Sequence, residues 1–303
     1  MTSANPVKVE ADLESASASR TPLLVSLVQL TKPGVGGLVM VTALAGALSA
    51  PGPRSTPKLL IALIGTALVV GAANTLNMYI ERQSDALMTR TRTRPLPMGR
   101  VTPEVALIFG IVLATHGLPL LSLLVNPLTA LLTAAALASY VFVYTPLKQV
   151  SPLALHVGAV PGALPPLIGW ASVHGTLSAP AWALFAILFM WQLPHFLAIA
   201  IFRREEYARA GHQVLPVVKG VPATKRAIVG YAAVFIGVTL LPYWLGMVSV
   251  VYLVLAAVSG AAFFGYALVG LRESSGDRWA RKLFRASMPH LVLVMTAFVL
   301  SAH

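Results

Sequence analysis

The 303-residue chain contains no cysteine. That excludes a disulfide framework, a cysteine-based metal site and a thiol nucleophile. Charge is also scarce. Asp, Glu, Lys and Arg make up 11% of the residues, against about 25% in an ordinary soluble domain, so a soluble fold would lack the charge to cover its surface. Acids are the scarcest group, ten against 22 basic residues, giving a formal net charge of +12. Also missing is any polar domain in which basic and aromatic residues interleave, and this argues against a nucleic-acid partner. Residues 1–20 have no apolar core of the signal-peptide kind, and Glu10, Asp12 and Glu14 are foreign to an acid-poor transit peptide. They read as a disordered cytoplasmic tail, leaving 21–303 as a membrane-embedded domain.

Apolar residues are abundant, at 57%. A bilayer-spanning helix needs about 20 apolar residues, and nine segments qualify, at about 34–50, 58–80, 103–124, 127–146, 152–173, 179–202, 226–245, 248–271 and 286–302. Thr21–Leu30 forms an amphipathic lead-in to the first. With the N-terminus in the cytoplasm, 20 of the 22 Lys and Arg residues fall on the cytoplasmic side and only Arg54 and Lys58 fall outside. This asymmetry orients a multi-pass protein of the cell (inner) membrane whose immediate partner is the lipid bilayer. The net charge is therefore mainly a topology signal. The expected fold is an all-α integral membrane bundle of nine transmembrane helices, with its two longest loops, 81–102 and 203–225, inside.

Four of the ten acids stand where spans meet those loops: Glu81, Asp85, Glu205 and Glu206. Asn77, Glu81 and Asp85 are spaced i, i+4, i+8, so on a helix they share one face. A carboxamide and two carboxylates offer oxygen ligands to a hard cation, and Mg²⁺ is typically held by one or two carboxylates plus substrate phosphates. The loop that follows carries Arg90, Arg92 and Arg94, and arginine forks suit phosphate oxygens. The second cluster runs from Trp191 through His195 to Arg203, Arg204, Glu205, Glu206 and Tyr207, with Arg203 and Glu206 at i, i+3. Taken alone, the first cluster also reads as a solvated helix end and the second as an ordinary Arg–Glu surface pair. Together, on one side of the membrane, they read as a metal and diphosphate site. A secondary transporter is disfavoured because the span centres hold no ionisable pair. A structural subunit without chemistry is the other non-enzyme reading.

These residues resemble the UbiA superfamily of intramembrane prenyltransferases, and within it the branch that farnesylates haem. The run from Asn77 to Asp85 is similar to N-x-x-x-D-x-x-x-D, and Arg90 to Pro95 to R-T-x-x-R-P. Tyr144-Thr-Pro-Leu-Lys148, Gly158 to Trp170, Leu30-Thr-Lys32-Pro33, and Trp191 to His195 followed by Glu206-Tyr207 and Ala210-Gly211 match further segments. Glu81 and Glu206 stand where Asp is usual, Ser151 to Ala154 lacks an Asn often found there, and Gly34 replaces a common Arg. The resemblance implies a UbiA-like bundle with a cytoplasmic-side active site. Its implied donor is farnesyl diphosphate and its acceptor haem b, with Mg²⁺ as cofactor; the alternative is an aromatic acceptor such as 4-hydroxybenzoate. It assigns metal binding to Asn77, Glu81, Asp85 and Glu206, with Glu205 the competing choice. Arg90, Arg94, Lys148, Arg203, Tyr144 and His195 are assigned to substrate. For a haem axial ligand His195 stands first, with His156 and His290 as alternatives; each also reads as a helix–helix hydrogen-bond partner. A downstream haem-modifying enzyme or oxidase assembly factors are the implied partners.

Overall fold

The structure is a computed structural model that describes residues 21–301; the expected tail, 1–20, lies outside the described residues. The regular elements are helices, in the order α1 (Leu23–Leu30), α2 (Pro33–Ser49), α3 (Thr56–Ala86), α4 (Pro103–Leu124) and α5 (Pro127–Ala138). A π-helical turn, Ser139–Tyr144, and α6 (Thr145–Leu147) extend α5. Then come α7 (Ala154–Ala163), α8 (Pro165–His174), α9 (Ala179–Phe202), α10 (Arg204–Arg209), α11 (Leu215–Val218), α12 (Gly220–Trp244), α13 (Val250–Val269) and α14 (Asp277–Ser301).

Proline opens several long helices at the first or second position, as in α2, α3, α4, α5 and α9. There its missing N–H costs nothing and its fixed φ is already helical. Thr102 and Asn126 cap α4 and α5 by accepting from the backbone N–H of Val105 and Thr129.

Seven helices are long and apolar enough to cross a membrane, counting Pro127–Leu147 as one, and an eighth span is reached if α1 and α2, bent by 46°, act together. The fifth expected segment, 152–173, is not one span but two ten-residue helices broken at Leu164, so seven or eight of the nine expected spans are found among the described residues. Leu164 keeps helical dihedrals; the break follows from Pro165, which has no N–H to give to the preceding turn. Outward faces are apolar, as at Leu123, Leu131, Val258 and Leu300, suited to lipid.

The helices form a ring. α3 packs on α4, α2 on α8, α9 on α12 and α14, α12 and α14 on α13, and α14 returns to α2. Close approach depends on glycine. A Cβ on Gly169 would lie 1.7 Å from the carbonyl oxygen of Ala43, and one on Gly46 would lie 2.0 Å from that of Pro166. α2 and α8 therefore touch backbone to backbone, the small-residue mode of membrane helix packing. The ring surrounds a cavity of about 870 Å³, lined from α2, α3, the π-turn, α7, α8, α9 and α14.

Candidate active site

The polar head of the cavity is built on the last turns of α3. Asn77, Glu81 and Asp85 are each at most 3% exposed, and all three line the cavity, as the shared face requires. Each is met by a basic side chain, Arg94 from the loop that follows α3 and Lys32 and Lys148 from distant parts of the chain. Lys32 Nζ donates to Asn77 Oδ1 at 2.7 Å, Lys148 Nζ to Glu81 Oε1 at 2.7 Å, and Arg94 Nη1 to Asp85 Oδ2 at 2.6 Å. Asn77 Nδ2 donates to Thr145 Oγ1 at 3.2 Å. Burial alone would lower the Lys148 ammonium, but Tyr144 and Glu81 outweigh it and hold its pKa above the ordinary lysine value. Lys148 therefore stays a cation.

Local backbone places these groups. Lys32 sits in the α1–α2 bend with φ at +51°, the only positive φ outside glycine among the described residues. Such strain is typical of positions held for function. The π-turn carries Tyr140 and Tyr144, whose ring centroids are 5.3 Å apart, to the wall above α7. Such bulges are frequent at functional sites. Gly158 on α7 leaves room for the Tyr144 ring, which a Cβ would meet at 2.5 Å; Gly162 does the same for the Gln192 carboxamide at 2.1 Å. These two approaches explain the glycine spacing in the 158–162 run.

Of the residues expected from sequence, Asn77, Glu81, Asp85, Arg90, Arg94, Tyr144, Lys148, His195 and Arg203 all line this one cavity. Arg90 makes no ion pair or side-chain hydrogen bond among the described residues, although it borders the site. Glu206 accepts from Arg203 and is mostly buried at the rim. Glu205 is 78% exposed beside Arg204. Neither carboxylate is part of the cavity wall. His156 lies off the wall, 2.6 Å from Tyr231 Oη. His290 also lies off it, packed against Phe235 and Phe263.

Sequence reasoning missed Lys32 and Thr145 as site residues; His212, near Lys148, lies off the cavity wall. His212 is fully buried, its ring nitrogens have no partner, and burial together with Lys148 pushes its pKa down to about 4. The Lys32-Pro33 dipeptide was a visible signal, but its pairing with Asn77 spans 45 residues.

The donor set suits a divalent cation that is completed by a substrate. Asp85 Oδ1 is buried with no hydrogen-bond partner, and such an orphan calls for a ligand. Among the described residues no three His, Asp or Glu side chains gather to hold a metal by themselves. Asn77, Glu81 and Asp85 offer one carboxamide and two carboxylates, and a divalent cation such as Mg²⁺ typically takes one or two carboxylates with water and phosphate in its other positions. Seven basic side chains line the cavity against two carboxylates, an excess suited to an anion. Below this head the wall is apolar, with Leu38, Val39, Val69, Leu137, Ile168 and Met288.

The UbiA prenyltransferase family matches residues 38–288. A protoheme IX farnesyltransferase of Sorangium cellulosum is 54% identical over 245 residues, covering 81% of this chain and 88% of its own. One from Myxococcus xanthus is 46% identical over 287 residues, covering 94% and 98%. Among solved structures, a digeranylgeranylglyceryl phosphate synthase superposes with a TM-score of 0.78 at 18% identity, covering 92% of this chain and 98% of its own. A UbiA homolog from Archaeoglobus fulgidus bound to DMAPP and Mg²⁺ gives 0.65 at 14%, covering 90% and 99%. By sequence over 38–288 and by fold over nine-tenths of its length, the chain belongs to the UbiA prenyltransferase family.

Proposed function

We propose that this chain transfers the farnesyl group of farnesyl diphosphate to a vinyl group of haem b, giving haem O and diphosphate. The observation that carries the reaction type is the cavity itself: a cation-rich head around Asn77, Glu81 and Asp85, opening onto an apolar well of about 870 Å³. The haem acceptor rests on the identity with protoheme IX farnesyltransferases.

Asn77, Glu81 and Asp85 would hold Mg²⁺, with Glu206 reaching in from the rim in preference to Glu205, whose side chain is directed to solvent. When bound, the metal supplies Lewis-acid neutralisation of the leaving diphosphate. Arg90 is free to bind the diphosphate, and Lys148, Arg94 and Arg203 can share their donors between the carboxylates and the anion. Such preorganised cations act most strongly on charge that develops as the C–O bond breaks. Tyr144 lines the wall beside Lys148, its ring centroid 5.6 Å from Lys148 Nζ. The apolar wall keeps bulk water from the allylic cation until the haem vinyl carbon attacks it. Water then adds to the resulting cationic carbon and loses a proton, completing the hydroxyethylfarnesyl group.

Nine crossings with a cytoplasmic N-terminus would place this head at the cytoplasmic face of the cell (inner) membrane. There it could hand its product to a haem-modifying enzyme or to oxidase assembly factors. Expression in a host that lacks haem O, followed by haem extraction and mass spectrometry, tests the reading. Haem O is the expected product. A folded, membrane-inserted protein that leaves haem b unchanged but prenylates 4-hydroxybenzoate would replace the acceptor.

A further inference from the structure

His195 is the one histidine among the described residues that lines the cavity. It lies one turn after Trp191 on α9, and both side chains dock on a single residue of α14, the fully buried Ser287. Trp191 Nε1 donates to the Ser287 carbonyl oxygen at 2.8 Å. His195 Nδ1 lies 2.6 Å from Ser287 Oγ. That hydroxyl donates in turn to the carbonyl oxygen of Phe284 at 2.7 Å.

A serine hydroxyl has one proton, and a carbonyl can only accept. When that proton goes to Phe284, Ser287 Oγ accepts from His195 Nδ1–H, the tautomer that leaves the lone pair on Nε2. Nε2 makes no protein hydrogen bond among the described residues, yet it is not one of the sealed unpartnered polar atoms, so it reaches the cavity surface. The ring is held in place by Trp191, stacked at 4.4 Å, and Phe284 at 4.7 Å. A metal-binding histidine commonly fixes its tautomer in this way, by donating its other N–H to a neighbouring oxygen.

We propose that His195 Nε2 is the axial ligand of the acceptor's haem iron, and that Ser287 is the positioning residue that fixes its tautomer and aim. The proposal rests on the haem-acceptor reading above. Ligation at one point of the wall would set the height of the tetrapyrrole below the polar head, and so set which carbons reach the farnesyl group.

The test uses the purified full chain in lipid nanodiscs, loaded with haem b. Absorption and EPR spectra are recorded for the ferric form and the resonance Raman iron–histidine stretch for the ferrous form, with haem O formation measured in parallel. Wild type should show histidine ligation. His195→Ala should lose that signature, bind haem at least about tenfold more weakly, and recover the signature with added imidazole. Ser287→Ala keeps the ligand but frees its tautomer, so it should shift the iron–histidine stretch, and Ser287→Thr should restore it. This arm reads the proposal even if His195→Ala fails to fold. A wild type that makes haem O while its spectra match those of His195→Ala, or while Ser287→Ala leaves the stretch unmoved, overturns the ligand and leaves the enzyme reading intact. A wild type that neither binds nor farnesylates haem removes both.

Discussion

Asp85 is the least satisfied residue of the polar head. One carboxylate oxygen takes Arg94 and the other is buried without a partner, at a cost of about 1–3 kcal/mol if nothing binds there. Asp85→Asn should therefore leave the fold intact while lowering turnover about 100-fold or more, as loss of a preorganised electrostatic group does. Steady-state diphosphate release checks this. Lys32 offers the converse experiment. Lys32→Gly relieves about 1 kcal/mol of left-handed backbone strain but removes the Nζ donor that holds Asn77. Thermal unfolding should show an unchanged or higher Tm, with turnover lowered about tenfold, as for loss of a group orienting a metal ligand. A variant that is less stable and equally active would show that Lys32 serves the fold alone.

At the scale of elements, the contact between α2 and α8 decides which glycines matter. Gly169→Ala would push a methyl group into the Ala43 carbonyl, whereas Gly36 and Gly37, on the same helix as Ala43, have nothing within 4 Å. Gly169→Ala should cost about 1–3 kcal/mol as an overpacked contact, and Gly36→Ala and Gly37→Ala should be near neutral; unfolding in detergent measures the difference. The same scale shows what could be read in advance. Span positions followed from hydropathy because lipid imposes length and apolarity on each helix. The face shared by Asn77, Glu81 and Asp85 followed from helical periodicity, and Arg94 and Lys148 from motif segments. The break at Leu164 was not foreseen, although Pro161, Pro165 and Pro166 were in view, because membrane helices also tolerate proline inside a continuous span. Lys32 on Asn77 and Ser287 beneath His195 were hidden for another reason. They are side-chain pairings across 45 and 92 residues, set by packing rather than by local pattern.

For the whole molecule, the absence of cysteine provides a direct test of orientation. Single cysteines at Arg92 and Arg54 start from a background without thiols. A membrane-impermeant maleimide added outside intact cells should label Arg54→Cys and spare Arg92→Cys, which should react only after lysis. The reverse pattern would invert the topology and place the polar head on the opposite face.

The most direct measurement of the central claim is haem O formation by purified wild type, Glu81→Gln and Asp85→Asn, each folded and supplied with haem b, farnesyl diphosphate and Mg²⁺. Wild type should form haem O with matching release of diphosphate, and both variants should be slower by about 100-fold or more. Variants as fast as wild type would show that the α3 head is not the reaction site, and a wild type that forms no haem O would contradict the assigned chemistry.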